Sequence, residues 1–276
     1  MKPLLAAMSA VSLITFTLLH AFGLAENPAH LSLVPVWLLF MLVLGLPLAF
    51  MESIIIRRTQ QLPLQGIITM TRDADIKSWW RLVIPFSLIG LVLVIGQAAQ
   101  HVKHHIVWTD QFILKESLSY LLVFFAAGFA WVGMRGLLAF IGVLVPIALV
   151  ICAVSSKNFG HLTLLTPKQW QLVASSTLLT STLGLGTYAW LMAPHAKIEK
   201  PTSWVMPVWL TQTIIGALTL VVGQTTLNIY TAIYMACAVF AVAVCIETIS
   251  SQLQAKSWHK PIALGAVLLV AVLAAY

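Results

Sequence analysis

The feature that most constrains this chain is an uninterrupted stretch of 46 residues without a charge, from Pro201 to Ile246. As a single α-helix it would be about 69 Å long, more than twice the roughly 30 Å of hydrocarbon in a bilayer. The stretch must therefore fold back once, and the glycine-containing polar segment 223–228 is the predicted turn. Two neighbouring membrane-spanning helices are the expected result.

The composition of the whole chain supports the same interpretation. Hydrophobic residues make up 60% of the 276 residues and charged residues 8%, against about 45–50% and about 25% in a soluble domain. A soluble globular protein is therefore excluded. The net charge of +7 is typical of loops that set orientation in a membrane, and it does not indicate nucleic-acid binding. The three cysteines lie in apolar stretches, where a thiol behaves as a small hydrophobic group.

Span-length apolar stretches recur along the rest of the sequence. They are continuous and too long for the strands of a membrane barrel, so we predict an all-α integral membrane protein in a single domain, residues 1–276. The nine predicted spans are 3–25, 32–56, 82–102, 117–134, 136–156, 170–194, 203–222, 228–250 and 261–276.

The first of these stretches has a second interpretation. Lys2, the apolar run and the small residues before Glu26 are also typical of a secretory signal with its cleavage site. The rest of the topology is the same in both cases, because the next span begins outside either way.

Lysine and arginine are unevenly distributed between the two sides of the membrane. Eleven of the 15 fall on the side of the N-terminus, namely Lys2, Arg57, Arg58, Arg72, Lys77, Arg81, Arg135, Lys197, Lys200, Lys256 and Lys260. Four fall on the other side, namely Lys103, Lys115, Lys157 and Lys168. Because basic loops stay cytoplasmic, we predict a multi-pass protein of the cell inner membrane with a cytoplasmic N-terminus and an external C-terminus.

Two acidic residues lie within predicted spans, where ionisable groups are costly and often functional. Glu52 is close to the cytoplasmic end of the second span and about one turn from Arg57. It is either a functional carboxylate or one that snorkels or pairs with the arginine. Glu247 has the same two interpretations, and the structural one is favoured because its helix is about to leave the membrane.

The sixth predicted span carries the strongest indication of a binding site. In the segment TSTLGLGTY, residues 180–188, hydroxyl side chains surround two glycines in mid-membrane. Glycines separated by one residue let a helix unwind, and secondary transporters bind solutes at such discontinuous helices. We predict a substrate site at Thr180, Thr182, Gly184 and Gly186. Helix packing through small residues is the alternative.

Histidines near the outer ends of two spans offer a different chemistry. His101, His104 and His105 have a spacing that places imidazoles on one helix face, and His20 could pair with His101 around a haem. A solvated helix end is the simpler interpretation. The sequence has no CxxCH, Walker, HExxH or nucleophile-elbow motif, so we predict neither an enzyme nor a resident metal or other cofactor.

The segment ENPAHLSLVPVWLLFMLVLGLPLAFMESIIIRR, residues 26–58, resembles the second transmembrane segment of the neurotransmitter:sodium symporter family. The family pattern GxPLxxxExxxGR is matched at Glu52 and Arg57, while Ile56 replaces its second glycine. The stretch from Trp131 to Gly136, with Pro146, resembles the family's fourth and fifth spans. LTPKQW followed by TLLTSTLGLGTY resembles its sixth, the unwound substrate segment.

This resemblance covers roughly residues 26–250 and implies a shortened symporter-like fold. The first five-helix repeat would be 1–156, and an incomplete second repeat of four helices would be 169–276. The family transports amino acids with sodium, and Thr180 and Thr182 would face the ion and the substrate.

Three parts of the family pattern are replaced in this sequence, and one is the pair of tyrosines in the third span, which corresponds to Gly90 and Leu91. The unwound GNxWRFP of the first span corresponds to residues 15–21, TFTLLHA, and the Thr-Ser sodium ligands of the eighth span correspond to about Phe240 and Ala241. Sodium coupling is therefore not expected. Transport of a small organic solute, between the sixth span and the first and third, is the preferred function. A non-transporting membrane subunit or sensor and a haem- or metal-binding membrane protein are the alternatives.

Glu52 also has a predicted structural role. A sixth helix interrupted near its glycines would begin its second half with backbone N–H groups that lack intrahelical partners. Glu52 is the only acidic residue well inside the spans of the first half. We therefore expect its carboxylate to accept hydrogen bonds from N–H groups between about Leu183 and Tyr188.

Overall fold

The computed structural model describes residues 2–27, 30–73, 83–105, 112–134, 136–155, 162, 164–181, 201–223, 228–254 and 257–276. This part of the chain is built of helices and short connections. The helices are α1 Lys2–Ala21, α2 His30–Phe40, a π-helical turn Met41–Gly45, α3 Leu46–Thr59, α4 Pro63–Asp73, α5 Val83–His105, α6 Phe112–Val132, α7 Leu138–Ile141, α8 Leu144–Ser155, α9 Pro167–Thr180, α10 Pro201–Val222, α11 Asn228–Gln254 and α12 Lys260–Ala275.

The expected class, an all-α membrane protein, is confirmed. In the described part of the chain, six segments are long and apolar enough to cross a bilayer, namely Pro3–Ala21, His30–Thr59, Pro85–Lys103, Leu138–Ser155, Ser203–Val222 and Asn228–Gln254. Two shorter apolar helices, Ser117–Val132 and Lys260–Ala275, coincide with the fourth and ninth predicted spans. The sixth predicted span continues past the described residues at 182, so the count of nine stays a prediction.

Two helices form the centre of the fold. Every residue of α1 from Ala10 to His20 is buried, as is every residue of α11 from Ala241 to Ile246. α1 packs against α5, α10 and α11, and α11 packs in addition against α6 and α12. The surrounding helices turn large apolar side chains outward, among them Phe86, Phe125 and Leu269, as lipid contact requires.

Side-chain contacts join helix ends that the predicted topology places on the same side. Gln100 Nε2 donates to the Ala275 carbonyl at 2.9 Å, and both residues are at predicted outer ends. Lys260 Nζ donates to the Trp131 carbonyl at 2.7 Å, and both are at predicted inner ends. These contacts agree with the alternation of the spans, while the side that faces the cytoplasm stays a prediction.

Reporter fusions test this orientation. From the distribution of lysine and arginine, a reporter placed after Lys77 is expected to be cytoplasmic and one placed after Tyr276 external. The measurement is the activity of a reporter that works on only one side of the membrane. If both fusions report the same side, the count of nine spans is wrong.

Candidate functional site

The end of α9 lies at the beginning of the predicted substrate segment. The helix begins with a capping box, in which Thr166 Oγ1 accepts from the Gln169 N–H and the Gln169 side chain accepts from the Thr166 N–H. It ends at Thr180, and Ser181 leaves helical geometry with ψ of 0°. The stretch from 169 to 194 contains no charged residue, so no charge within the segment accounts for this end.

Thr180 is the only predicted substrate residue that lies in the described part. It is 2% exposed, and its hydroxyl donates to the Thr177 carbonyl at 3.0 Å. The hydroxyl oxygen can still accept a hydrogen bond. Thr182, Gly184 and Gly186 lie outside the described residues, so their role stays a prediction.

The end of α9 lies against a second irregularity, the π-helical turn Met41–Gly45. A Cβ atom added at Gly45 would be 3.5 Å from Ser181 Oγ. Within the turn, the Met41 carbonyl accepts from the Leu46 N–H, one residue further along than in an α-helix. π-Helical turns in α-helices occur frequently at functional sites. The sequence analysis missed this turn.

Two tryptophans fix the π-helical turn against α10. Trp209 Nε1 donates to the Met41 carbonyl at 2.9 Å. One turn earlier in the second span, Trp37 Nε1 donates to the Thr213 carbonyl at 3.2 Å. Such bonds satisfy buried indole N–H groups and hold the two helices in one register.

Three buried side chains on α1 and α10 have a polar atom with no hydrogen-bond partner among the described residues. They are Thr15 Oγ1, Thr17 Oγ1 and Gln212 Nε2. Other threonines in the spans, such as Thr219 and Thr248, bond the carbonyl four residues earlier. Buried polar atoms are nearly always satisfied, so these three atoms call for a partner that the described residues do not supply.

Glu52 is fully buried, whereas Arg57 and Arg58 are exposed. The Glu52 carboxylate is therefore enclosed by protein, and both interpretations of it, a functional group or one that snorkels or pairs with an arginine, stay predictions. The backbone N–H groups between Leu183 and Tyr188 lie outside the described residues, and a hydrogen bond from them to Glu52 stays a prediction.

Glu247 accepts a hydrogen bond from a backbone N–H group, which is the kind of contact that the sequence analysis expects of Glu52. Its Oε2 atom accepts from the backbone N–H of Met134 at 2.7 Å, just after the end of α6. Gly133, with φ of +102°, lets the chain leave the helix there. Gly133 and Gly136 were the sequence signal for a break after α6. The contact itself was not predictable, because donor and acceptor are 113 residues apart in sequence.

The second polar region is a group of side chains at the outer ends of α1, α5 and α11, which we name the outer cluster. Its members are His20, Glu26, His101, Tyr230 and Tyr234. The predicted topology places all five residues on the same side of the membrane. Folding brings together members that are as far apart as 210 positions in sequence.

The hydrogen bonds of His20 define its tautomer. Its Nδ1 lies 2.9 Å from the Phe16 carbonyl, which can only accept, so Nδ1 carries the proton. Nε2 is then the acceptor in the neutral ring, and the Tyr230 hydroxyl donates to it at 2.5 Å. Both residues are at most 2% exposed.

The arrangement of His20 does not fit a haem ligand. Both ring nitrogens are engaged, so iron would have to displace Tyr230. In the described part of the chain, no three histidine, cysteine or acidic side chains are grouped so that they could hold a metal ion. The side chains of His104 and His105 lie outside that part.

Comparison of the sequence with known protein families gives no match, and no characterised protein matches it. The resemblance to the neurotransmitter:sodium symporter family therefore rests on the motifs of the sequence alone.

Proposed function

We propose that this chain is a membrane transport protein for a small organic solute, built on a shortened symporter-like scaffold. The observation that carries the proposal is the contact between two helix irregularities. The π-helical turn Met41–Gly45 and the end of α9 at Thr180 meet inside the apolar core. Interrupted helices at the same depth are the usual setting of solute sites in secondary transporters.

The surroundings of this junction support the same function. α9 packs against both α1 and α5, which are the first and third spans. Thr15 and Thr17 on α1, which packs against α9, and Gln212 on α10, which packs against α2, add buried polar atoms without partners in the described part of the chain. An amino acid or a similar polar solute needs such donors and acceptors in an otherwise apolar site.

A thermal-stability screen of the detergent-purified protein against amino acids and related solutes tests the proposal. A ligand that binds only the native state raises the melting temperature. In Thr180→Val the shift caused by such a solute should be reduced, because the variant removes a hydroxyl acceptor without changing the shape.

Thr248→Val is the matched control. Thr248 is equally buried, and its hydroxyl bonds its own helix on α11. The control should keep the full ligand-induced shift. If the solute shifts both variants equally, Thr180 does not line the site.

Sodium is not expected to stabilise the protein. At the positions corresponding to the family's ion ligands, Phe16 packs on Tyr234 and Phe240 packs on Phe129, with ring centroids 6.1 and 5.0 Å apart, and Ala241 is fully buried. A hard cation needs several oxygen ligands at once. A rise in melting temperature with sodium, absent with potassium at equal ionic strength, would contradict this.

A non-transporting subunit or sensor on the same scaffold is the second candidate, and one observation favours it. α1 is continuous from Lys2 to Ala21, although the resembled family unwinds its first span to hold ion and substrate. A screen in which no solute changes the melting temperature, together with no uptake into liposomes, would favour this candidate over transport.

A further inference from the structure

The outer cluster contains a polar atom that the described fold does not satisfy. Tyr234 is 4% exposed, and its hydroxyl has no hydrogen-bond partner among the described residues. Polar and ionisable groups buried between membrane helices are costly, and they commonly mark ion or proton pathways. Helix packing alone does not account for this cluster.

The aromatic rings of the outer cluster are in close contact. The His20 ring centroid lies 5.4 Å from that of Tyr234, and the His101 centroid lies 5.1 Å from the same ring. Phe16 packs on Tyr234 at 6.1 Å. Rings at these distances are in van der Waals contact, and the described residues offer no group of three ligands for a metal ion.

One side of the outer cluster reaches water. The Glu26 side chain is 26% exposed and that of His101 is 5% exposed, and His101 Nε2 lies 3.5 Å from Glu26 Oε1. Glu26 belongs to the turn after α1, outside the spans, and burial raises the pKa of its carboxyl above the usual value. A proton from the outer side therefore meets an acceptor at the edge of the cluster.

We propose that the outer cluster is a proton-binding site, in which the Glu26–His101 pair takes up a proton from the outer side of the membrane. The proposal that the outer cluster binds a proton does not depend on the proposed transport function. The use of the proton as coupling cation, in place of the sodium for which the ligands are missing, rests on the proposed transport function.

Other titratable groups surround this pair on several elements. They are His20 on α1, Lys103 two residues beyond His101 on α5, Cys152 on α8, and Tyr230, Tyr234 and Cys237 on α11. Glu26 is the carboxylate that interacts electrostatically with Tyr234. Among the side chains that the structure describes, Glu26 is the only acidic one at this end of the helices; the side chain of Glu116, near the outer end of α6, is not among them.

The sign of the pH dependence follows from the environment of Glu26. Burial raises its pKa in the folded protein above the ordinary value of 4.5, so the folded state binds the proton more tightly than the unfolded chain does. The resulting stabilisation is complete below the unfolded pKa and is lost as the pH rises through the folded pKa. The melting temperature should therefore rise as the pH is lowered from neutral.

The experiment measures the melting temperature of the full-length purified protein between about pH 4 and 8, a range that begins near the ordinary pKa of a glutamate and includes the ordinary pKa of a histidine. The variants are Glu26→Gln and His101→Gln. His259→Gln is the control, since His259 is exposed before α12 and its side chain makes no capping bond.

The wild type and His259→Gln should gain stability as the pH falls, and this gain should be reduced in both cluster variants. An unchanged gain in Glu26→Gln and His101→Gln would overturn the site. If either variant fails to fold, infrared difference spectra of the wild type, recorded as the pH is changed, decide whether the proton site exists. A carboxyl C=O band that titrates above the usual pKa of glutamate supports the site, and its absence overturns it.

A second measurement separates this inference from the transport function. Liposomes containing the protein are given a labelled amino-acid mixture, with and without an acidic exterior. If an acidic exterior drives accumulation of the amino acids and His101→Gln abolishes it, the result supports proton coupling. If accumulation is the same with and without the gradient, proton coupling is overturned. If nothing accumulates, the transport function fails, while the melting curves still decide whether the proton site exists.

Discussion

Gly216→Ala is expected to lower the melting temperature and the folded yield strongly, and much more than the same substitution at Gly128. A Cβ atom at this position would lie 2.5 Å from Trp37 Nε1 and closer still to two ring carbons. Trp37 is fully buried, so the indole must move and its hydrogen bond to the Thr213 carbonyl must break. Overpacking costs about 1–3 kcal/mol, and a stranded buried donor about 1–3 kcal/mol more.

Gly128→Ala is the matched control for this prediction. Gly128 is also in the middle of a helix, α6, but a Cβ atom there would meet nothing within 4 Å. Its replacement should be neutral or slightly stabilising, since glycine is unfavourable in helices by about 0.5–1 kcal/mol.

A second substitution shows whether the clash is the cause. The smaller ring of Trp37→Phe should restore part of the stability lost in Gly216→Ala, and the double-mutant cycle should show clear coupling. Equal melting temperatures for Gly216→Ala and Gly128→Ala would show that α10 does not approach Trp37 as described.

The membrane-spanning helices were predictable because one length, the thickness of the hydrocarbon layer, sets how many residues a span needs. The uncharged stretch beginning at Pro201 is too long for one crossing, and the structure divides it as expected, with α10 ending at Val222 and α11 beginning at Asn228. Gly223 leaves the helix with φ of +70°. No knowledge of packing was needed for this prediction, since the thickness of the hydrocarbon layer sets the span length.

Irregularities within the spans were only partly predictable. The fifth predicted span, 136–156, appears as α7 and α8 with a turn at Gly142, where α7 packs closely on Ser9 of α1. The π-helical turn comes shortly before Pro47, which has no N–H group to donate. The sequence showed this proline, but the widened turn also depends on Trp209, which comes from α10.

The polar contacts were the least predictable part. His20 and Tyr230 are hydrogen-bonded although 210 positions separate them, and His101 meets Glu26 across 75 positions. Sequence spacing reports neighbours on one helix, and it cannot report which helices meet. The outer histidines were recognised as unusual, but their partners depend on the packing of α1, α5 and α11.

Glu247 provides the clearest test of why this protein keeps carboxylates among its apolar helices. Its Oε2 accepts from the N–H of Met134, a fully buried residue two positions after the end of α6. The carboxyl end of a helix disfavours negative charge, so the charge of Glu247 gains nothing from α6, and the hydrogen bond to Met134 is a stabilising contact that needs an acceptor but no charge. A neutral acceptor of the same length should serve as well.

We therefore expect Glu247→Gln to melt close to the wild type and Glu247→Leu to be destabilised by about 1–3 kcal/mol, the cost of a stranded buried donor. At about 2–4 °C per kcal/mol for a chain of this size class, the leucine variant should melt several degrees lower. The measurement is thermal unfolding of both purified variants. If the two are equally destabilised, the charge itself is required. The same pair at Glu52 should behave alike if that carboxylate also accepts backbone N–H groups, because a membrane interior offers no water to replace the lost acceptor.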